Sequence, residues 1–256
     1  MSAGRAVVRD VVAAFQFLTR LPTPAIAFDS GTLARAVKYF PLVGLMVGLG
    51  AAELYRILLP HLAQPVVAWV IVLYLVLITG CFHEDALADV ADSFGAWTRE
   101  RRLAIMRDSR IGSYGAAALV LSIVGRLLLL RALPLERFTA YVIVAQVLCR
   151  WSTLPLSYLL PAARTADAGN TEAGQGAQIA RLTSQSSLLF GSIFSVAVTV
   201  IALRWASIAP LLAVCAVTAA SGRLFMRRLG GVTGDCFGAT NQVAEIAVYL
   251  CGVWMA

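Results

Sequence analysis

Apolar runs of some twenty residues recur along this chain, separated by short charged or Gly/Pro-containing segments. That alternation leaves few ways to fold. About 20 helical residues cross the ~30 Å hydrocarbon core, and in lipid every backbone N–H and C=O has to be paired within its own segment. The chain is therefore read as all-α, a polytopic membrane helix bundle of about seven transmembrane helices. Spans are expected near 39–59, 66–82, 115–133, 138–160, 187–203, 206–223 and 237–254. Residues 5–20, RAVVRDVVAAFQFLTR, are too short and too charged to cross. They read as an N-terminal interfacial amphipathic helix that ends before Pro22 and Pro24. Composition agrees, with 59% hydrophobic and 14% charged residues, against about 45–50% and 25% in soluble domains.

The net charge of +7 comes almost entirely from arginine, because Lys38 is the only lysine. Segments 1–38, 83–114, 161–186 and 223–236 hold 15 of the 21 Lys and Arg residues. By the positive-inside rule these segments are expected on the cytosolic side of a single membrane domain, 1–256. The arginines suit contact with membrane lipid and also bidentate recognition of phosphate. Their spread over several short loops argues against nucleic acid. The five cysteines are scattered and show no metal-binding spacing, so they read as small buried hydrophobes. Nothing in the sequence decides for or against a homo-oligomer.

The stretch 79–115, TGCFHEDALADVADSFGAWTRERRLAIMRDSRIGSYG, carries the chemistry. Asp85, Asp89 and Asp92 are spaced four and three apart and share one face of a helix. At about 6 Å and an effective dielectric near 20, each pair repels by on the order of 3 kcal/mol, less where water screens it. A hard divalent metal, the nearby arginines, or both would relieve that. Oxygen-rich clusters suit Mg²⁺, which keeps several waters and bridges to substrate phosphates. Asp235, in GGVTGD at 230–235, adds a fourth acid on the same side. His83 is a candidate general base or a donor that orients a ligand. The plain alternative is a solvated acidic helix end.

Arg107, Asp108, Ser109 and Arg110 form a compact cluster before Ile111-Gly112, fit either for phosphate or for anchoring on anionic lipid. Thr233 and Gly234 open a helix that also carries Asn241, and a helix start presents N–H groups to anions. Arg126 and Arg150 lie within apolar spans. There a charge costs about 2.5–3.5 kcal/mol and faces the bundle interior. Arg150 is expected to reach a substrate phosphate, and Arg126 to be a structural pair or to snorkel. Residues 162–178, small and Gly-rich, are expected to be a loop, either a linker or the roof of a wide cytosolic cavity. TGCF at 79–82 and TGDCF at 233–237 look alike, too briefly to establish a repeat. From the residues alone, the chain is a cytosol-facing, metal-dependent membrane enzyme of phosphoryl or phosphodiester transfer. A phospholipid-type phosphotransferase and, less well, a transporter stay open.

HEDALADVADSFG, IMRDSRIGSYG and GGVTGDCFGATNQ, with FLTRLPTP at 17–24 and YFPLVGLMVG at 39–48, together resemble the cobalamin synthase family, the adenosylcobinamide-GDP ribazoletransferases. The resemblance implies a Mg²⁺-dependent enzyme of the bacterial cytoplasmic (inner) membrane. It would join adenosylcobinamide-GDP to α-ribazole or α-ribazole 5′-phosphate and release GMP. Combined with the reading of the residues, His83 and Asp85 are expected to be catalytic, and Asp85, Asp89, Asp92 and Asp235 to hold metal. Arg107, Asp108, Ser109, Arg110, Arg150, Thr233, Gly234 and Asn241 would bind substrate. The chain departs from the family at Ala86, where glycine is common, at Glu84, where an apolar residue is common, and at Arg107, where lysine is common.

Overall fold

A computed structural model describes residues 3–26, 31–163, 179–180 and 183–255. Among these residues all regular structure is helical, apart from one isolated parallel bridge between Ala162 and Val232. The amphipathic α1 (Ala3–Leu18) lies on α2 (Thr32–Ala36), and a 3₁₀ turn leads from α2 into α3 (Phe40–Leu58). One face of α1 buries Ala13, Ala14 and Leu18, while Val7 and Val8 stay exposed, as an interfacial helix requires. After α4 (Gln64–Thr79) come α5 (Phe82–Ser93), α6 (Arg99–Ile105), α7 (Ser113–Ala132), α8 (Leu135–Trp151) and α9 (Thr153–Leu159). The chain ends with α10 (Gln185–Leu203), α11 (Ile208–Leu229) and α12 (Gly234–Trp254).

Two central helices hold the bundle together. α8 packs on α3, α10 and α12, and α12 packs on α5, α7, α8 and α11. The α3–α8 crossing is close because Gly44 and Gly48 carry no side chain: a Cβ on Gly48 would lie 2.8 Å from the Ile143 Cα. Small residues four apart let helices approach in lipid. The same gap at Gly44 receives the Gln146 carbonyl and the Arg150 side chain.

The membrane bundle stands as expected, but the count of seven spans does not follow. Among the described residues, by length and composition, four helical stretches can cross a membrane, or five if the α4–α5 pair is one broken span. Two findings explain the difference. α12 is 21 residues long and carries Asn241, Gln242 and Glu245, all buried between neighbouring helices. It crosses the core of the protein and is not among the stretches apolar enough to face lipid. The expected spans 187–203 and 206–223 form one helical stretch, Gln185–Leu229. Within it, Arg204 adopts a left-handed φ of 55° and a 3₁₀ turn at Arg204–Ser207 separates α10 from α11.

Candidate active site

The acidic segment is set by a sharp break. α4 ends at Gly80 (φ 66°), Cys81 follows at φ 61°, and α5 leaves at 86° to α4. A left-handed non-glycine residue costs about 1–2 kcal/mol, so the contacts of α5 have to hold Cys81 there. At 12 residues, or roughly 18 Å, α5 is too short to span alone. It turns across the end of α4 and packs on α7 and α12. Arg20 pins the break: its backbone N–H donates to the Ile78 carbonyl at 2.8 Å, and its side chain occupies the space a Cβ on Gly80 would need.

Two spaces meet at this corner. The first is a polar cleft of about 390 Å³ lined by Gln16, Thr19, Arg20, Thr79, Cys81 and Asp85, among others. The second is a small void of about 20 Å³, lined by His83, Arg150, Thr153, Gly234, Gly238 and Asn241 together with apolar neighbours. That is room for about one water. Phe17 and Phe82 border both spaces, with ring centroids 5.3 Å apart, and Phe17 stacks on Phe40 at 5.6 Å. An aromatic wall thus separates the cleft from the void. The helix starts that bear TGCF and TGDCF also meet here, since α5 and α12 pack together and both Phe82 and Phe237 line the void. Of the wide cavity expected here, residues 164–178 of the suggested roof lie outside the described residues.

His83 is 4% exposed. Burial first, then the Arg150 and Arg126 guanidinia, push its imidazole well below the ordinary value. It is therefore neutral at physiological pH and able to accept a proton. Arg150, 2% exposed, donates to the side-chain and backbone oxygens of Gln146, while its Nε is buried without a hydrogen-bond partner among the described residues. An unpaired buried donor is costly, and an anionic oxygen in the void would relieve it.

The aspartates part company. Asp92 accepts the backbone N–H of Gly112 at 2.7 Å and of Gly115 at 2.8 Å, so both its oxygens close the open N-terminus of α7. A Cβ at either glycine would collide with that carboxylate. Asp235, in the first turn of α12, accepts the Thr233 hydroxyl at 3.2 Å. Asp85 lines the cleft, with Asp89 one turn behind it on α5. Among the described residues no three His, Cys, Asp or Glu side chains form a group able to hold a metal ion. A cage of all four aspartates is not assembled among the described residues, and Asp92 already accepts two N–H groups from α7. A metal held by one or two carboxylates plus substrate phosphates, the usual manner for Mg²⁺, fits Asp85 and Asp89.

The 107–110 cluster sits apart, on the exposed loop between α6 and α7. Arg110 clasps Asp108 through Nε at 2.9 Å and through its terminal nitrogen, and this hydrogen bonding pushes the Asp108 carboxyl down to about 2. Arg107 and Ser109 are exposed, and none of the four lines the cleft or the void. Gly230 and Gly231 are packed against the protein itself. The Val232 N–H donates to Pro161 O and the Ala163 N–H to Val232 O, while Arg99 donates to Ala163 O at 2.7 Å.

Sequence reasoning missed the polar chain behind the site. Arg126 donates to Glu84 at 2.8 Å and lies 3.7 Å from Glu245, all three nearly unexposed. Gln242 donates to Glu84 at 3.2 Å and accepts from Ser122 at 2.9 Å. On the other side Tyr249 donates to Glu245 at 3.0 Å, and Gln146 donates to Tyr249 at 3.2 Å while accepting from Arg150. Hydrogen bonds and one ion pair, Arg126 to Glu245, thus run from the helix bearing His83 to Arg150. The signal available beforehand was a count: two intramembrane arginines needed partners, and Glu84 and Glu245 were the acids in apolar surroundings.

The model of the cobalamin-5-phosphate synthase family matches residues 10–253. The chain belongs to that family. It is 39% identical to the adenosylcobinamide-GDP ribazoletransferase of Polaromonas sp., over 95% of each chain. It is 41% identical to that of Azorhizobium caulinodans, over 96% of each chain, and 34% identical to that of Vibrio cholerae, over 93% of this chain and 90% of the relative. No solved structure matches.

Proposed function

We propose that this chain joins adenosylcobinamide-GDP to α-ribazole or its 5′-phosphate in the membrane-bound assembly of cobalamin. The family match along residues 10–253 carries the reading. The geometry supports it, because a base, a buried guanidinium and two helix N-termini meet at one corner. The acceptor's ribose hydroxyl attacks the phosphorus on the cobinamide side, a new P–O bond forms, and the P–O bond to GMP breaks. Neutral His83 takes the hydroxyl proton. Arg150, with the N–H groups at the start of α12 and the Asn241 amide, receives charge on the phosphate oxygens. Asp85 and Asp89 would hold Mg²⁺ with the pyrophosphate, and the metal would neutralise phosphoryl oxygens. The substrates enter from the cytosolic face, and the cell membrane is the bacterial inner membrane.

The void is too small for a pyrophosphate, so the Phe17–Phe82 wall has to part when substrate binds. The test is turnover by the purified full chain in liposomes, with both substrates and with or without Mg²⁺. Mg²⁺-dependent GMP release matched by a cobalamin product is expected. Folded protein that makes no product with either ribazole form would overturn the reading. Asp85→Asn that keeps wild-type turnover and metal dependence would remove Asp85 from the metal.

A further inference from the structure

A second feature lies away from the site. α9 and α11 bound an apolar groove of about 340 Å³, walled by Trp151, Leu156, Leu159, Cys215, Ala219 and Met226. Two polar groups interrupt it. Arg223 lies at one end, exposed, with Arg227 one turn further along α11. Thr218 lines the groove 5% exposed, and its hydroxyl is buried with no hydrogen-bond partner among the described residues. That is unusual here. Ser195, Thr199 and Thr240 each bond back to the carbonyl one turn before, the ordinary solution for a hydroxyl in a membrane helix.

We propose that this groove binds one anionic phospholipid, its phosphate at Arg223, an ester carbonyl at the Thr218 hydroxyl and an acyl chain along the apolar walls. The spacing suits this order. Thr218 and Arg223 are five residues apart, about 7.5 Å along the helix axis, with the arginine toward the basic end of α11. Basic pockets between membrane helices recognise anionic headgroups. A helix from a second protein chain would fill the apolar walls but cover Arg223 without a partner, which a phosphate supplies.

The full chain in dodecylmaltoside micelles would be titrated with palmitoyl-oleoyl phosphatidylglycerol or with the phosphatidylcholine of the same chains. Thermal unfolding and native mass spectrometry give the readouts. One retained phosphatidylglycerol and a larger stabilisation than by phosphatidylcholine are expected. Arg223→Gln, at an exposed position, should weaken phosphatidylglycerol about fivefold and erase the preference. Thr218→Val, of equal shape, should weaken both lipids while leaving the lipid-free protein folded. Equal responses of wild type and Arg223→Gln to phosphatidylglycerol would overturn the proposal. So would the same stabilisation by inorganic phosphate alone, or a dimer in place of a lipid adduct.

Discussion

Replacing Arg126 by Met should be among the most damaging single changes outside the site itself. The Arg126 guanidinium is 1% exposed and stands between two buried carboxylates, Glu84 at 2.8 Å and Glu245 at 3.7 Å. Its removal leaves both without a cation in surroundings too dry to hydrate them. Breaking a buried ion pair from one side costs about 3–5 kcal/mol. At about 2–4 °C per kcal/mol for a chain of this size, the melting temperature should fall by roughly 6–20 °C. Thermal unfolding of wild type and Arg126→Met in the same detergent measures this. The cause is isolated by adding Glu84→Gln and Glu245→Gln to Arg126→Met. That removes the orphaned charges while leaving an acceptor for Tyr249, and most of the loss should return. A loss below about 1 kcal/mol, the range of an exposed pair, or a triple variant no better than the single one, would refute the buried-triad argument.

Asp92→Ala uncovers the N-terminus of α7 and should cost about 0.5–2 kcal/mol in the same melting experiment, and Gly115→Ala should mimic it by displacing the carboxylate. Gly238→Ala drives a Cβ into the Ala86 Cβ where α12 crosses α5. It should cost about 1–3 kcal/mol, and Ala86→Gly should restore most of that in the double variant. The imidazole of His83 is held below the ordinary value of about 6.5, so its basic form already predominates at pH 6.5. The acid limb of the pH–rate profile should therefore fall below pH 6.5 and be absent in His83→Gln; a limb above 6.5 would rule His83 out as the base.

Legibility divided along a physical line. Hydropathy and residue spacing are local properties, and they carried a long way. The apolar runs announced an all-α membrane bundle, because lipid leaves the backbone no other way to satisfy itself. The i, i+4, i+7 spacing put Asp85, Asp89 and Asp92 on one helical face. What each carboxylate faces is another matter, because that depends on which element passes by. Asp92 looks equivalent to Asp89 in sequence, yet α7 starts beside it and takes both its oxygens. Gly230 and Gly231 have the spacing of a ligand cradle, yet Arg99 packs against the first and Pro161 to Ala163 against the second. Arg107 to Arg110 have the composition of a phosphate clamp, and the spacing does not reveal that Arg110 turns back onto Asp108. Conversely α12 looked like one more span, and only packing showed it to be the polar centre of the bundle, where Glu245, Gln242 and Asn241 find partners or border the site. Order along the chain is enough to read the solvent of each segment and the chemistry available at its ends. The tertiary structure alone decided which polar groups spend their hydrogen bonds on one another and which stay available to a substrate, because pairing in a low-dielectric interior is set by approach in space and not by order along the chain.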